Sequence, residues 1–516
     1  MAGICTRAMG TQLVWFKRDL RVHDHAALAQ AAAQGPVLCV YIIEPSYWCA
    51  PDASQRQFDF VRECLRDLYR QLKACGQVLH VLTGEVTDVL EQLHQVQPFS
   101  HLHSHQETGN GLTYQRDLAV AEWCKTHGVL WQEQRQHGVV RRLPSRDLWS
   151  EHWQQLMDAP QVPTPALQSA NWPWAAQTFP EWQAWGLPTD EAPLRQTGGR
   201  SEGLRTLHSF LRERSSQYRG GISSPLSAAS ACSRLSPYLS WGCLSLREVV
   251  QATEETLRQP HVHSWTRKGL SAFMSRLHWH CHFMQKLESE PAIETRNMHR
   301  GYDGLRENDW NDAHFERLRS ATTGWPLIDA CVTMLQQTGW LNFRMRAMLV
   351  SVAAYPLWLH WDKVGHWLAS QFVDYEPGIH WSQMQMQSGT TGINTTRVYN
   401  PIKQAQDQDP QGIFVRRWLP VLRQVPDSWL FEPWKMPPSV QAQCGVVVGH
   451  DWPLPVVDLA EATRSAKALL HARRNTAPVR QAKQAVVDKH ASRKRPEGKR
   501  QRRPAPEPSA QTSLDF

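Results

Sequence analysis

QLVWFKRDLRVHDHAALAQAAAQGPVLCVYII, residues 12–43, decides the fold class. Its two apolar runs, QLVWF (12–16) and VLCVYII (37–43), are short and continuously apolar. That pattern belongs to strands buried on both faces of a parallel sheet, not to strands with one wetted face. VLHVL (78–82), HLHSH (101–105) and GVLWQEQ (128–134) continue the series. Between the second and third runs, Phe58, Val61, Leu65, Leu68 and Leu72 step by three and four, which predicts a helix over about 54–74 with Gly76 as its stop. A second helix is expected at 112–126. Strand–helix–strand repetition at these spacings predicts a doubly wound α/β domain over 12–135.

Beyond this domain the pattern changes twice. Residues 136–200 mix Pro, Trp and polar residues without period and read as a connector packed over the surface. From 201 to 458 helical periodicity and then loop-rich stretches replace strand signals, which predicts an all-helical second domain. One further amphipathic helix is expected at 459–473. The Lys/Arg/Pro/Gln-rich stretch 474–516 reads as a disordered basic tail.

Composition bounds the function. The 516 residues are 41% hydrophobic and 20% charged, as in a soluble globular protein. The net charge of +8 is concentrated: residues 489–503 hold eight Lys or Arg and one acid, and the rest is nearly neutral. Any nucleic-acid face of the body must therefore come from local patterning, around Arg276, Arg344, Lys403, Arg416 and Arg417. The 11 Cys show no CxxC and no clustered metal or iron–sulfur spacing, so no metal is expected. Free thiols and a start without signal-peptide character point to the cytoplasm, and a monomer is expected. The best apolar run, Ala347–Trp361, is too short to span a membrane and contains Pro356 and His360.

Several motifs carry a resemblance. VWFKRDLRVHDHAAL (14–28), SRLSPYLSWGCLS (233–245), TGWPLIDA (323–330), TGWLNFRMR (338–346), RVYNPIKQAQDQDPQGIFVRRWLP (397–420), FEPWKM (431–436) and WPLPVVD (452–458) fall in the order and near the spacing of the photolyase/cryptochrome family. The chain resembles that family over roughly 12–460. The resemblance implies an N-terminal α/β antenna domain and a helical domain that holds FAD. It implies a blue-light-driven reaction on pyrimidine dimers flipped out of damaged DNA, or, in the cryptochrome branch, signalling with little or no repair. An antenna pigment, methenyltetrahydrofolate or a deazaflavin, is left open, because Gln106–Asn110 does not match the folate-binding pattern cleanly.

The resemblance also implies roles for single residues. Ser233, Leu235 and Ser236 contact the FAD phosphates, with Arg234 beside them and Tyr218 upstream; hydroxyls and backbone N–H groups ahead of a helix suit a pyrophosphate. Cys232 stands where the family usually has Thr. Arg346 and Asp374 form an ion pair over the flavin ring, where a guanidinium stabilises its anionic reduced form. Asp374-Tyr375-Glu376 replaces the family's Asp-Gly-Asp. His380 falls where photolyases place an Asn at the flavin, as a proton donor or hydrogen-bond partner.

In the substrate pocket Trp279 matches a stacking Trp. Arg276, Phe343 and Met386 replace the family's Glu, Asn and second Trp. His278 and His280 are candidate proton donors. In the electron relay Trp361 matches the middle Trp and Trp310 the outer one. Met384 occupies the inner position, so either Trp381 or Tyr375 takes over or photoreduction is impaired. The last six residues, with Gln511, Leu514 and Phe516, resemble the hexapeptide by which bacterial DNA enzymes dock on the replicative sliding clamp.

Overall fold

The computed structural model describes residues 10–170, 173, 180–393 and 397–490. Five strands, β1 (Gln12–Phe16), β2 (Val37–Ile43), β3 (Leu79–Thr83), β4 (His101–His105) and β5 (Leu130–Gln134), form one parallel sheet in the order β3-β2-β1-β4-β5. Every residue of β1 and β2 is buried, as their unbroken apolar runs require. The helix Gln55–Ala74 covers one face through Phe58, Val61, Leu65, Leu68 and Leu72. The strand order reverses between β1 and β4, so the loop after β1 lies at the switch point where such sheets present their carboxyl ends to a ligand or neighbour.

Here that neighbour is the helical half. Arg18 donates to the carbonyls of Ser240 (2.9 Å) and Tyr375, and its guanidinium lies 4.6 Å over the Trp241 ring. Arg21 donates to the Gly242 carbonyl at 2.9 Å, and the Leu20 N–H to the Trp241 carbonyl at 3.2 Å. The SRLSPYLSWG stretch is thus clamped from the sheet side.

The helical half packs around the helices Pro326–Thr338, Phe343–Ala354, Trp361–Gln371 and Pro377–Ser388, with the long helix Ser264–Ser289 alongside. Its motifs have local physical work. The Asp329 carboxylate accepts from the Thr323 N–H and hydroxyl and from the Gly324 N–H, which fixes the TGWPLIDA turn. The Asn400 side chain caps Pro401–Gln408 by accepting from Ile402 and Lys403 N–H.

Two expectations are corrected. The connector contains a helix, Trp149–Asp158, with Trp149, Trp153 and Met157 buried at four-residue spacing, a period obscured by the polar residues around it. The stretch read as disordered from 474 contains a second helix, Ala477–His490. It is held because the Val479 carbonyl accepts from His299 (3.0 Å) and because His490 and Lys489 both meet Glu290 at 2.7 Å. No helix among the described residues is long and apolar enough to cross a membrane.

Candidate active site

A cavity of about 1650 Å³ opens in the helical half. Ordinary ligand sites run to about 1,000 Å³, so this one has room for a dinucleotide and a further ligand. The long helix forms one wall and the Cys232–Ser240 segment another. Helix Phe343–Ala354, the Asp374–Glu376 turn and helix Pro377–Ser388 complete it.

At the first wall Ser233, Arg234 and Ser236 line the cavity, as do Tyr218 and Cys232. Leu235 is fully buried behind them. Arg234 takes a left-handed conformation (φ +61°) and stacks 3.7 Å over Trp340. That conformation is costly for a residue with a Cβ. It is fixed by the stack and by Gln196, whose amide donates to the Arg234 carbonyl at 3.0 Å. The following helix is a single turn, Ser236–Ser240.

Also lining the cavity, Arg346 donates to Asp374 at 2.8 Å and lies 4.0 Å over the Phe372 ring. The Asp374 side chain is 3% exposed, and its second oxygen, Oδ1, is buried without a hydrogen-bond partner. A buried carboxylate oxygen left open at a cavity wall suits a ligand with an N–H or O–H donor. The hydroxyls and guanidinium of the Cys232–Ser240 segment together with the acid–guanidinium pair fit a flavin dinucleotide. FAD would be held by Ser233, Arg234, Ser236, Arg346 and Asp374, and it supplies light absorption and electron transfer.

Glu376 and Tyr375 also border the cavity. The Tyr375 hydroxyl turns toward the sheet domain and donates to Asp52 at 2.8 Å, so the bulk added to this turn is absorbed at the interface. Burial pushes the Glu376 carboxyl up to about 7, opposed by Arg18. The folded protein thus holds a proton that the unfolded chain releases near pH 4.5, and Glu376 lowers stability as pH rises from about 4.5 to 7. Glu376→Gln removes that term. Urea unfolding at pH 5 and 8 is expected to show the variant gaining on the wild type at pH 8 by on the order of 3 kcal/mol.

His380 lines the cavity with its proton placed. Its Nε2–H donates to the Gly365 carbonyl at 2.9 Å, and burial pulls its pKa down to about 3. The imidazole is neutral and Nδ1 is an acceptor, so of the two roles expected for it, hydrogen-bond partner fits and proton donor does not.

On the long helix Arg276 lies 5.4 Å over the Trp279 ring, and both border the cavity. His280 also borders it, with Nε2 buried and unpartnered, 5.6 Å from the His137 ring; burial pulls its pKa down to about 4. His278 packs edge-on against Trp149 and Trp153, and the Nδ1 of His282 accepts from Arg146 at 2.9 Å. These two histidines touch the connector as well as the cavity.

Trp361 is buried and donates to Asn297 at 2.8 Å. Trp381 lies 5.9 Å from it and 5.0 Å from His380. Met384 lines the cavity, and Trp310 sits farther out on Phe315 (5.0 Å). Gln511, Leu514 and Phe516 lie outside the described residues.

The sequence reading missed two groups. Arg18 reaches the site from the other domain, which no local pattern shows. Asp19, His25 and His105 form a buried trio, the one metal-like grouping among the described residues. The Nδ1 of His25 accepts from the Leu28 N–H, so its Nε2 proton faces Asp19 at 3.0 Å, and His105 meets the same oxygen at 2.7 Å. Asp19 is held well below the usual carboxylate range by His25 and His105, against its burial. Within the trio His105 hydrogen-bonds Asp19, and His25 faces the same oxygen as a close charge contact.

Comparison with known proteins matches residues 12–147 to the family model for DNA photolyase and residues 273–472 to the model for the FAD binding domain of DNA photolyase. A cryptochrome DASH of Gloeobacter violaceus is 30% identical, over 90% of this chain and 96% of that protein. A deoxyribodipyrimidine photo-lyase of Vibrio cholerae is 27% identical, over 83% and 93%. The crystal structure of a bacterial class III photolyase from Agrobacterium tumefaciens superposes with a TM-score of 0.78 at 24% identity, covering 92% of this chain and all of the other.

Proposed function

From the premise that this chain belongs to the photolyase/cryptochrome family and carries its FAD-binding domain, we propose that it is a light-driven DNA repair flavoprotein acting on dipyrimidine lesions. The observation that carries this reading is the long-helix wall of the cavity that the Arg346–Asp374 pair also lines. There Trp279, backed by Arg276, offers a stacking surface to a base turned out of DNA, in a cavity large enough for flavin and base together. Arg219, Arg267, Lys268 and Arg344 also border the cavity and suit phosphates. The test is blue light on the purified, reduced protein with DNA carrying cyclobutane dimers or (6-4) products. Loss of either lesion in the light and not in the dark supports the reading; if both persist, it fails.

A photoreceptor is the second reading. It is favoured by Arg276, Phe343 and Met386, which replace three of the four pocket residues of dimer photolyases. Arg276 cannot accept the hydrogen bonds that the family's Glu accepts.

In both readings electrons reach the flavin through buried indoles. The 5.9 Å contact of Trp381 with Trp361 supports Trp381 as the inner member in place of Met384. Trp361→Phe and Trp381→Phe are each expected to slow flavin photoreduction, followed by absorbance under blue light with an external reductant. The double variant is expected to nearly abolish it; unchanged rates in Trp381→Phe would route the path elsewhere.

The reading includes docking of Gln511, Leu514 and Phe516 on a sliding clamp, since a basic tail ending in two apolar anchors suits a repair enzyme held near replicating DNA. Deleting 511–516 is expected to abolish clamp binding in a titration of the full chain, while flavin absorbance stays unchanged.

A further inference from the structure

The cavity extends past Trp279 along the long helix. Arg276, Trp279, Phe283 and Lys286 follow one another by three, four and three residues, and all border it. Lys286 is 7% exposed. Its ammonium lies 4.9 Å over the Phe283 ring. Among the described residues no carboxylate forms an ion pair with it: Glu290, one turn on, is engaged by Lys489 and His490 at 2.7 Å each.

The groups around it are basic or neutral. Arg146 approaches from the connector, His278 and His282 share its helix, and His490 closes the far side. The helix Pro377–Ser388 adds the amides Gln383 and Gln387 to the same cavity. A buried ammonium without an acid is costly, and the cost is recovered when a ligand brings the anion. Burial, with Arg146 adding repulsion, pulls its pKa down to about 7.

We propose that Lys286 is a phosphate-binding residue, holding inside the cavity a phosphodiester of the DNA strand whose base is turned toward Trp279. The proposal rests on the DNA-repair reading above and adds to it a second contact, about two helix turns beyond the stacking surface. The ligand chemistry follows from the surroundings. The amides and imidazoles supply N–H donors, the cations supply charge, and two aromatic rings lie between two cations along one helix face, a mix of ring and charge that suits a nucleic-acid strand.

An anion seated there favours the ammonium over the amine, so binding takes up a proton. DNA affinity therefore falls as pH rises through 7. His282, held near 2, and Arg146 do not change charge in that window. His278 and His490 are lowered from the usual histidine value, and Glu290 is held near 2 by His490 and Lys489.

The experiment is a fluorescence titration of a labelled oligonucleotide carrying one thymine dimer, at pH 6 and 8.5 and several salt concentrations. It compares the wild-type holoprotein with Lys286→Met and Lys286→Arg. The wild type is expected to bind about fivefold more weakly at pH 8.5 than at pH 6, one phosphate contact's share of a multi-contact complex. Lys286→Met is expected to bind at pH 6 as weakly as the wild type at pH 8.5, with the salt slope shallower by about 1. Lys286→Arg, charged at both pH values, is expected to bind tightly at both. Replacing an unpaired buried charge by an apolar chain does not threaten folding, and retained flavin absorbance checks this. If the wild type binds DNA but Lys286→Met matches it in affinity, salt slope and pH profile, the phosphate site is overturned and the repair reading stands. If the wild type binds no DNA, both fall.

Discussion

Arg346→Met is expected to destabilise the protein by about 3–5 kcal/mol and to release its flavin, because it removes one partner of a buried ion pair. The asymmetry of the pair sets the size of the effect. Asp374 is the buried member at 3% exposure, and Arg346 is a quarter exposed at 26%. Without the guanidinium the carboxylate keeps Oδ1 unpartnered and loses the bond to Oδ2 as well. The arginine does two further things: its Nε–H donates to the Leu341 carbonyl at 2.7 Å, and its plane covers Phe372. Met restores part of the packing and none of the hydrogen bonds. Lys at this position restores the charge without the fork, so it is expected to recover stability only in part. Urea unfolding monitored by far-UV circular dichroism measures the first effect, and flavin retention through gel filtration the second. A variant that unfolds with the wild-type midpoint and keeps its flavin would remove the pair from any role in the site.

Gly242→Ala is expected to cost at least about 3 kcal/mol, by combining left-handed strain with a core clash. Gly242 ends the SRLSPYLSWG stretch with φ +63°, a conformation L side chains rarely adopt. A Cβ there would meet the Arg18 carbonyl oxygen at 2.2 Å and the Asp19 Cα at 2.5 Å, both backbone atoms. The clash cannot be relieved by a rotamer change; the β1 loop would have to withdraw. Withdrawal breaks the Arg21 bond to the Gly242 carbonyl and the Leu20 bond to Trp241. The Arg18 bonds to Ser240 and Tyr375 are strained with them. The loss should therefore appear as reduced cooperativity between the two halves as well as a lower urea midpoint. A wild-type unfolding curve would show that the loop absorbs the methyl group.

The inner strands are legible because buried parallel strands announce themselves in one dimension: the apolar runs at 12–16, 37–43 and 78–82 mark β1, β2 and β3 to within a residue, while β4 and the partly exposed β5 follow from the spacing of the series. The helical half was recognised through its motifs, and the structure gives some of them local reasons, as with Asp329 gripping Thr323 and Gly324. The connector helix and Ala477–His490 escaped because their burial depends on partners far along the chain. Val479 is buried by His299 and its neighbours, not by a pattern of its own. For the same reason Lys286 was invisible among the charged residues of its helix. Nothing in MQKLES distinguishes a solvated lysine from one facing a cavity. The motif spacing puts His380 near the site, but its role follows from the Gly365 carbonyl, which fixes its proton and is fifteen residues away.

The loop after β1 has a consequence for modularity. Because Arg18 bonds to the carbonyl of Tyr375, and Tyr375 to Asp52, the sheet half braces a turn that lines the cavity. Trp48 also lies stacked 6.1 Å from Trp241 across the same seam. The helical half is accordingly no portable cassette. Cut free of the sheet, it would expose indoles and leave backbone carbonyls without donors beside the chamber. Substitutions at Arg18 or Asp52 would then reach the cavity wall indirectly, through the bonds they remove from Ser240 and Tyr375.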